Sequence, residues 1–313
     1  MPSVKSDTTA WQEVCIKELE HKISRDQYQL RINAHGARSA WLSSLATLTW
    51  LLCGYPAVAL EPVVIMPESS GKCAEAVSAD HRQAPRERLP RLFSVLNWNV
   101  EKAKDSDLVS DFAALSKRSD LIFLQEAVPV KKAETMTGQS LYEAFVPGYV
   151  DNEIETGVLT LARVPHLVHC HLLSIEPWLR TPKATSVTLY PLAESDDSLL
   201  TINLHAVNFS FGVKAYRAQL AAAAEVIRAH QGPVIFGGDL NSWNDRRQAV
   251  LDDLTDDLGL SPVTFSPDHR TMRFGRPLDH LYVRGLTWQS SETVQVQTSD
   301  HNPLIVTLRH QGP

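Results

Sequence analysis

Residues 91–310 carry the pattern of an α/β domain of about 220 residues. Short apolar runs of strand length alternate with stretches of helical periodicity. One long segment consists mostly of strong helix formers, and several apolar runs end in an amide, a carboxylate or an imidazole. Taken in order, Leu92–Trp98 is a strand and Leu108–Leu115 a helix. The uninterrupted Leu121-Ile122-Phe123-Leu124 is a buried strand. Gly157–Leu161, Ala184–Tyr190 and Leu199–Leu204 follow as strands, and the alanine-rich Lys214–His230 is a helix. Gln231-Gly232-Pro233 is a turn signal leading into the strand Val234–Phe236. Leu278–Val283 and Pro303–Leu308 complete the strand set.

The first 90 residues have a different texture. Residues 1–38 are polar and mixed in charge, a leader with at most a short amphipathic helix. Residues 39–60 hold no charged side chain. Arg31 and Arg38 precede them, and Ala57-Val58-Ala59 fits a small-x-small cleavage site, so a signal sequence is expected. The run is also just long enough to span a bilayer, which makes an anchor the first alternative and a buried helix of a cytoplasmic protein the second. An apolar run set so far from Met1 implies a start assigned too early or a cytoplasmic tail. Residues 61–90, rich in Pro, Ser, Ala and charge, are read as a linker.

Composition narrows the classes. Of the 313 residues 43% are hydrophobic and 21% charged, as in an ordinary globular enzyme. The net charge of -6 exerts no general pull on polyanions, so a nucleic acid would have to meet a local basic patch. The four cysteines form no C-x-x-C pair, which argues against zinc. Cys73 and Cys170 are read as unrelated thiols, a disulfide being the alternative in an oxidising compartment. Nothing calls for an oligomer, and a monomer is expected.

The chemistry sits at the strand ends. In "VIFGGDLNSW" a buried strand runs through Gly237 and Gly238 into Asp239 and Asn241, which share a face if the chain stays extended. "LFSVLNWNVEK" ends in Asn97 and Asn99, "DLIFLQEA" in Gln125 and Glu126, and "LLTINLHAVNF" in His205 and Asn208. Asp279 heads the strand in "RPLDHLYV", and Asp300 with His301 precedes the last one. Each alone has a plain explanation: a helix cap, a solvated loop carboxylate, a core histidine, turn chemistry. Together they form a hard-oxygen donor set suited to Mg²⁺ or Mn²⁺, with histidines able to move protons. No serine elbow, reactive-cysteine motif or P-loop lysine competes with that chemistry.

The ordered strings "NWNV", "LQE", "NLHAVN", "GGDLN", "LDH" and "SDHNP" resemble those of the endonuclease/exonuclease/phosphatase superfamily, over about Leu92 to Leu308. "TLYPL", "NLHAVNFSFGV", "FGRPLD" and "SDHNPL" are most similar to its YafD-like bacterial branch. The resemblance implies a DNase I-like four-layer fold, a sandwich of two β-sheets flanked by helices, with the active site at one end. It implies that Asn99 and Glu126 hold a metal with Asp300 nearby, and that His205 contacts the phosphate. It makes Asp239 a proton carrier or second metal ligand, Asn241 an orienting amide, and His301 a general base oriented by Asp279.

Asn208 and the segment with Arg270, Arg273, Phe274 and Arg276 are the candidates for substrate binding, the arginines for phosphates and Phe274 for a base. The alternative for that segment is a solvated hairpin. A nuclease-type phosphodiesterase therefore ranks first, and a phospholipid or inositol-phosphate phosphoesterase second. A non-catalytic phosphate-binding module is third, because every expected catalytic position is filled.

Overall fold

The structure is a computed structural model that describes residues 69–81, 86–129, 140–151 and 154–311. The leader, the signal-like segment 39–60 and the first part of the 61–90 stretch lie outside the described residues. No described helix is long and apolar enough to cross a membrane.

Two six-stranded mixed sheets form the frame. The first contains β1 (Leu92–Asn99), β2 (Leu121–Ala127), β3 (Tyr142–Asp151), β4 (Ile154–Ala162), β13 (Leu286–Thr293) and β14 (Leu304–His310), ordered β13-β14-β1-β2-β4-β3. The second contains β5 (Val168–Ile175), β6 (Pro182–Pro191), β7 (Ser198–His205), β8 (Val234–Asp239), β9 (Ser261–Pro262) and β12 (Asp279–Arg284), ordered β5-β6-β7-β8-β12-β9. A small hairpin pairs β10 (Met272–Arg273) with β11 (Arg276–Pro277).

The inner faces of the sheets meet in one apolar layer. Phe93 and Val95 of β1, Phe123 of β2 and Val306 of β14 join Tyr190 of β6, Leu199 of β7, Ile235 of β8 and Leu281 of β12. Helix α1 (Ser70–Ser78), α3 (Lys214–Ala229) and α4 (Asp245–Asp257) contribute to the core on the outer face of the second sheet. Helix α2 (Leu108–Ser116) lays Leu108, Phe112 and Leu115 on the outer face of the first. Helix, sheet, sheet and helix layers are thus the expected DNase I-like sandwich.

Pairing direction brings the chemistry to one end. The pairs β1–β2 and β7–β8 are parallel, so four strands deliver their carboxyl ends together. The antiparallel partners β12 and β14 begin at that end, Asp279 opposite Asp239 and Leu304 opposite Asn97. An amide network crosses the sandwich just beneath. Gln125 Nε2 donates to Asn97 Oδ1 (2.9 Å) and Asn203 Oδ1 (2.7 Å), and Asn203 Nδ2 donates to Leu159 O (3.2 Å). Asn97 and Gln125 are therefore buried linkers, while Asn99 lies at the surface of the cleft.

Two expectations need correction. The 61–90 stretch contains helix α1, whose buried residues are Cys73 and Val77, four apart on one helical face. Cys73 and Cys170 are joined in a disulfide that ties α1 to β5. Proline and charge on both sides of α1 masked so short an apolar stripe.

Candidate active site

The strand ends border a cleft of about 720 Å³. Asn99, Glu126, His205, Asp239, Asn241, Asp300 and His301 all line it, as do Asn208, Arg273 and Phe274.

Local backbone geometry aims these groups. Glu126 has φ +49°, and the β2–β4 register shifts between Leu124 and Ala127, a bulge that turns its carboxylate out of the ladder. Asn241 has φ +47°, a conformation asparagine tolerates better than most residues. Its backbone N–H donates to Asp239 Oδ1 at 3.1 Å, and its side chain to Ala206 O at 3.2 Å. Asn99 Nδ2 donates to Asp239 Oδ2 at 3.1 Å, and Asn99 Oδ1 accepts from Glu101 N at 3.1 Å. Asp239 thus receives two hydrogen bonds that fix both of its oxygens.

Behind the cleft, His280 Nε2 lies 2.7 Å from Ser242 Oγ, which donates to Pro277 O at 2.9 Å. Arg247 of α4 is buried and donates to the carbonyls of Val207 (2.7 Å), Asn208 (2.8 Å) and Asn241 (3.0 Å). One guanidinium therefore clamps the loops after β7 and β8. The buried Glu176 completes the wall by accepting from the backbone N–H of Asn208 at 2.7 Å.

Electrostatics separate the two histidines. His301 Nδ1 is 2.7 Å from Asp279 Oδ2. Burial pulls its pKa down, but the charge and hydrogen bond of Asp279, aided by Asp239 and Asp300, raise it to about 10. His205 is held well below its ordinary value by burial and by the ammonium of Lys183. Its Nε2 stands 2.9 Å from Lys183 Nζ, 3.5 Å from Asp239 Oδ2 and 4.0 Å from Glu126 Oε1. Burial raises Asp239 to about 6, against the pull of His301.

The donor chemistry fits a divalent cation. Asp239, Asp279 and His301 each offer a donor atom within 4.8 Å of the others, but His301 Nδ1 and Asp279 Oδ2 are taken up by their mutual hydrogen bond. Asp279 Oδ1 is buried with no hydrogen-bond partner, an acceptor that a cation or a bound water would satisfy. Asn99 and Glu126 add oxygen donors along the same wall, and Asp300 stands exposed at the mouth.

The substrate-binding expectation divides. Arg273 and Phe274 are at the cleft, Phe274 being 77% exposed. Arg270 and Arg276 are not among its lining residues, because nearer carboxylates capture them. Arg270 forks onto Asp268 and reaches Asp279 O, and Arg276 pairs with Asp245. The sequence reading missed Lys183, Tyr149, Glu176, Trp243 and Arg247. A signal for Lys183 was present: it is the one charged residue in β6, whose neighbours are otherwise apolar or hydroxylic.

The two-sheet topology is that of the DNase I-like fold, with clustered carboxylates and a carboxylate-bound histidine at the shared strand ends. The chain belongs to the endonuclease/exonuclease/phosphatase family, whose pattern matches residues 96–301. It is 38% identical over 215 residues to a UPF0294 protein of Erwinia tasmaniensis, spanning 68% of this chain and 80% of that one. A UPF0294 protein of Vibrio parahaemolyticus is 36% identical over 226 residues, spanning 69% and 77%. Among solved structures, an endonuclease/exonuclease/phosphatase from Beutenbergia cavernae superposes with a TM-score of 0.57 at 15% identity, covering 71% of this chain and 72% of that one. The human Nocturnin catalytic domain, with bound sulfate anion, gives 0.53 at 15% identity, covering 72% and 97%.

Proposed function

We propose that the protein is a divalent-cation-dependent phosphodiesterase that cleaves nucleic acid by attack of a water molecule activated by His301. The 2.7 Å contact between His301 Nδ1 and Asp279 carries this reading. It leaves Nε2 free to take a proton from water as the new oxygen–phosphorus bond forms and the bond to the leaving oxygen breaks. Asp279 orients the ring and stabilises the imidazolium. Asn99, Glu126 and Asp300 would hold Mg²⁺ or Mn²⁺, with Asp239 and Asn241 positioning the reacting groups. Such a cation supplies charge stabilisation for the phosphoryl oxygens.

Nucleic acid is favoured by the rim beside the base. Arg273 lies 5.5 Å from the Phe274 ring and Trp243 5.9 Å from it, a cationic and aromatic surface for a sugar-phosphate strand. A phospholipid substrate is the second reading. Ile175, Trp178, Leu179, Phe209 and Phe211 are exposed, Leu179 and Phe209 lining the cleft, and such an apolar surface suits hydrocarbon. Export to an oxidising compartment is part of the proposal, supported by the Cys73–Cys170 disulfide. The purified protein with Mg²⁺ or Mn²⁺ should cleave plasmid DNA, single-stranded DNA or RNA, and leave sphingomyelin and inositol phosphates intact. Preference for sphingomyelin vesicles would replace the first reading with the second. Metal-stimulated hydrolysis of none of them would remove both and leave a phosphate-binding module.

A further inference from the structure

We infer that Lys183 receives the phosphoryl oxygens of the substrate, forming an anion subsite at the base of the cleft beside His205. The inference rests on the phosphoesterase reading for the identity of the anion, but its physical grounds are separate. Lys183 is only 7% exposed, and lysine is almost never buried without a partner of opposite charge. Among the described residues its single hydrogen-bonding partner is His205 Nε2, at 2.9 Å, and its other near neighbour is the face of Tyr149, 5.3 Å away. Both are uncharged groups. The carboxylates of Glu126, Glu176 and Asp239 act on the ammonium through space without pairing with it. Burying a cation in this way costs free energy that an apolar side chain at the same position would not. A ligand that brings an anion to the ammonium supplies the missing partner.

Place and chemistry agree on that ligand. Lys183 is the second residue of β6, and the pairing of Thr185 with Leu204 sets it beside the loop that follows His205. It lines the cleft together with Asp239 and His301. His205 Nε2 bridges the distance, 2.9 Å from Lys183 and 3.5 Å from Asp239 Oδ2, so the ammonium is two contacts from the reacting groups. A phosphodiester anion carries its charge on two non-bridging oxygens, and that charge spreads over the equatorial oxygens during transfer. A cation on one side leaves the other side to a protein donor, and an ammonium with three protons is a suitable point charge.

The assignment also changes the role of His205. Where the ammonium donates to Nε2, the ring proton resides on Nδ1, and Nε2 cannot donate to phosphate. His205 becomes a positioning residue for Lys183, and Lys183 takes the phosphate contact that the family resemblance implied for the histidine.

The test uses the full chain with Lys183→Met, Lys183→Gln and Lys183→Arg. Inorganic phosphate binding is measured by calorimetry, melting temperature by scanning calorimetry, and kcat and KM on bis(p-nitrophenyl) phosphate with Mn²⁺. Lys183→Met should bind phosphate at least tenfold more weakly and lose on the order of 10²-fold in kcat/KM, the scale of one lost charge-stabilising donor. It should melt no lower than wild type, and Lys183→Arg should recover part of both losses. Wild-type phosphate affinity in a folded Lys183→Met or Lys183→Gln protein would overturn the assignment, whatever turnover did. Should neither variant fold, wild-type protein decides: phosphate must slow reductive methylation of Lys183 while leaving the exposed Lys104 unaffected, and no protection would overturn it. A wild type that binds phosphate through Lys183 yet hydrolyses no diester would refute the phosphodiesterase reading and leave this subsite standing.

Discussion

Asp279 and His301 show how far a pair of side chains can be read from sequence. Their types and order were visible at the heads of two strands, "LDH" and "SDHNP". Their pairing, a 2.7 Å contact, was implied by the family resemblance alone, because residue patterns do not show that β12 and β14 start at the same end of different sheets. The pair yields a signed prediction. A base must be neutral, and Asp279 raises the value of His301, so activity should be present at high pH and lost as pH falls through the folded value. Replacing Asp279 with Asn removes the charge that holds the imidazolium. The ascending limb of kcat/KM should then move to lower pH, with a maximal rate reduced by about tenfold or more. A pH–rate profile checks this, and a limb that stays in place would separate Asp279 from the base. Arg247 was illegible for a different reason, and Lys183 carried only the weak signal of a lone charge in an otherwise uncharged strand. A lone Lys or Arg in sequence reads as solvated surface, and only the packing of β6 and α4 shows these two to be buried.

Among elements, the strands buried on both faces were the legible ones. The continuous apolar runs of β2 and β8 announced themselves, as did the leucines and isoleucine of β7. The edge strands β3, β5 and β13 did not: Pro147 and Gly148 interrupt β3, two histidines punctuate β5, and "LTWQSSET" of β13 is mostly exposed. Helix α4 was missed because its sequence, "DRRQAVLDDLTDD", has few apolar residues. Its cap is Asn244, whose Oδ1 accepts from Arg247 N at 2.9 Å. The glycine pair before Asp239 also gains a definite reason. Gly238 has φ +134°, and a Cβ there would stand 2.0 Å from Leu204 O on the parallel partner β7. Only glycine lets β7 and β8 approach closely enough to set His205 beside Asp239. Gly238→Ala should cost at least about 3 kcal/mol, through strain and a backbone clash that no rotamer relieves. Urea denaturation measures it, and a loss under about 1 kcal/mol would mean that the two strands can separate without unfolding.

For the molecule as a whole, composition indicated an ordinary globular enzyme, and the family strings implied the two-sheet sandwich that the structure has. The covalent tie between α1 and β5 was not legible, since spacing alone cannot pair cysteines. The bond spans 97 residues, so reducing it or replacing Cys73 with Ser should lower stability by about 2–4 kcal/mol. Neither cysteine lines the cleft, and turnover per folded molecule should be unchanged. Melting with and without reductant, with activity measured alongside, tests both statements. The central claim is that one end of this sandwich hydrolyses phosphodiesters with His301 as base and a divalent cation as partner. The measurement that tests it most directly is Mn²⁺-dependent release of p-nitrophenolate from bis(p-nitrophenyl) phosphate, by wild type and His301→Ala, per folded molecule. The account predicts turnover that EDTA abolishes and that His301→Ala lowers by roughly 10²–10⁴-fold. Wild-type turnover from folded His301→Ala, or full activity in EDTA, would contradict it.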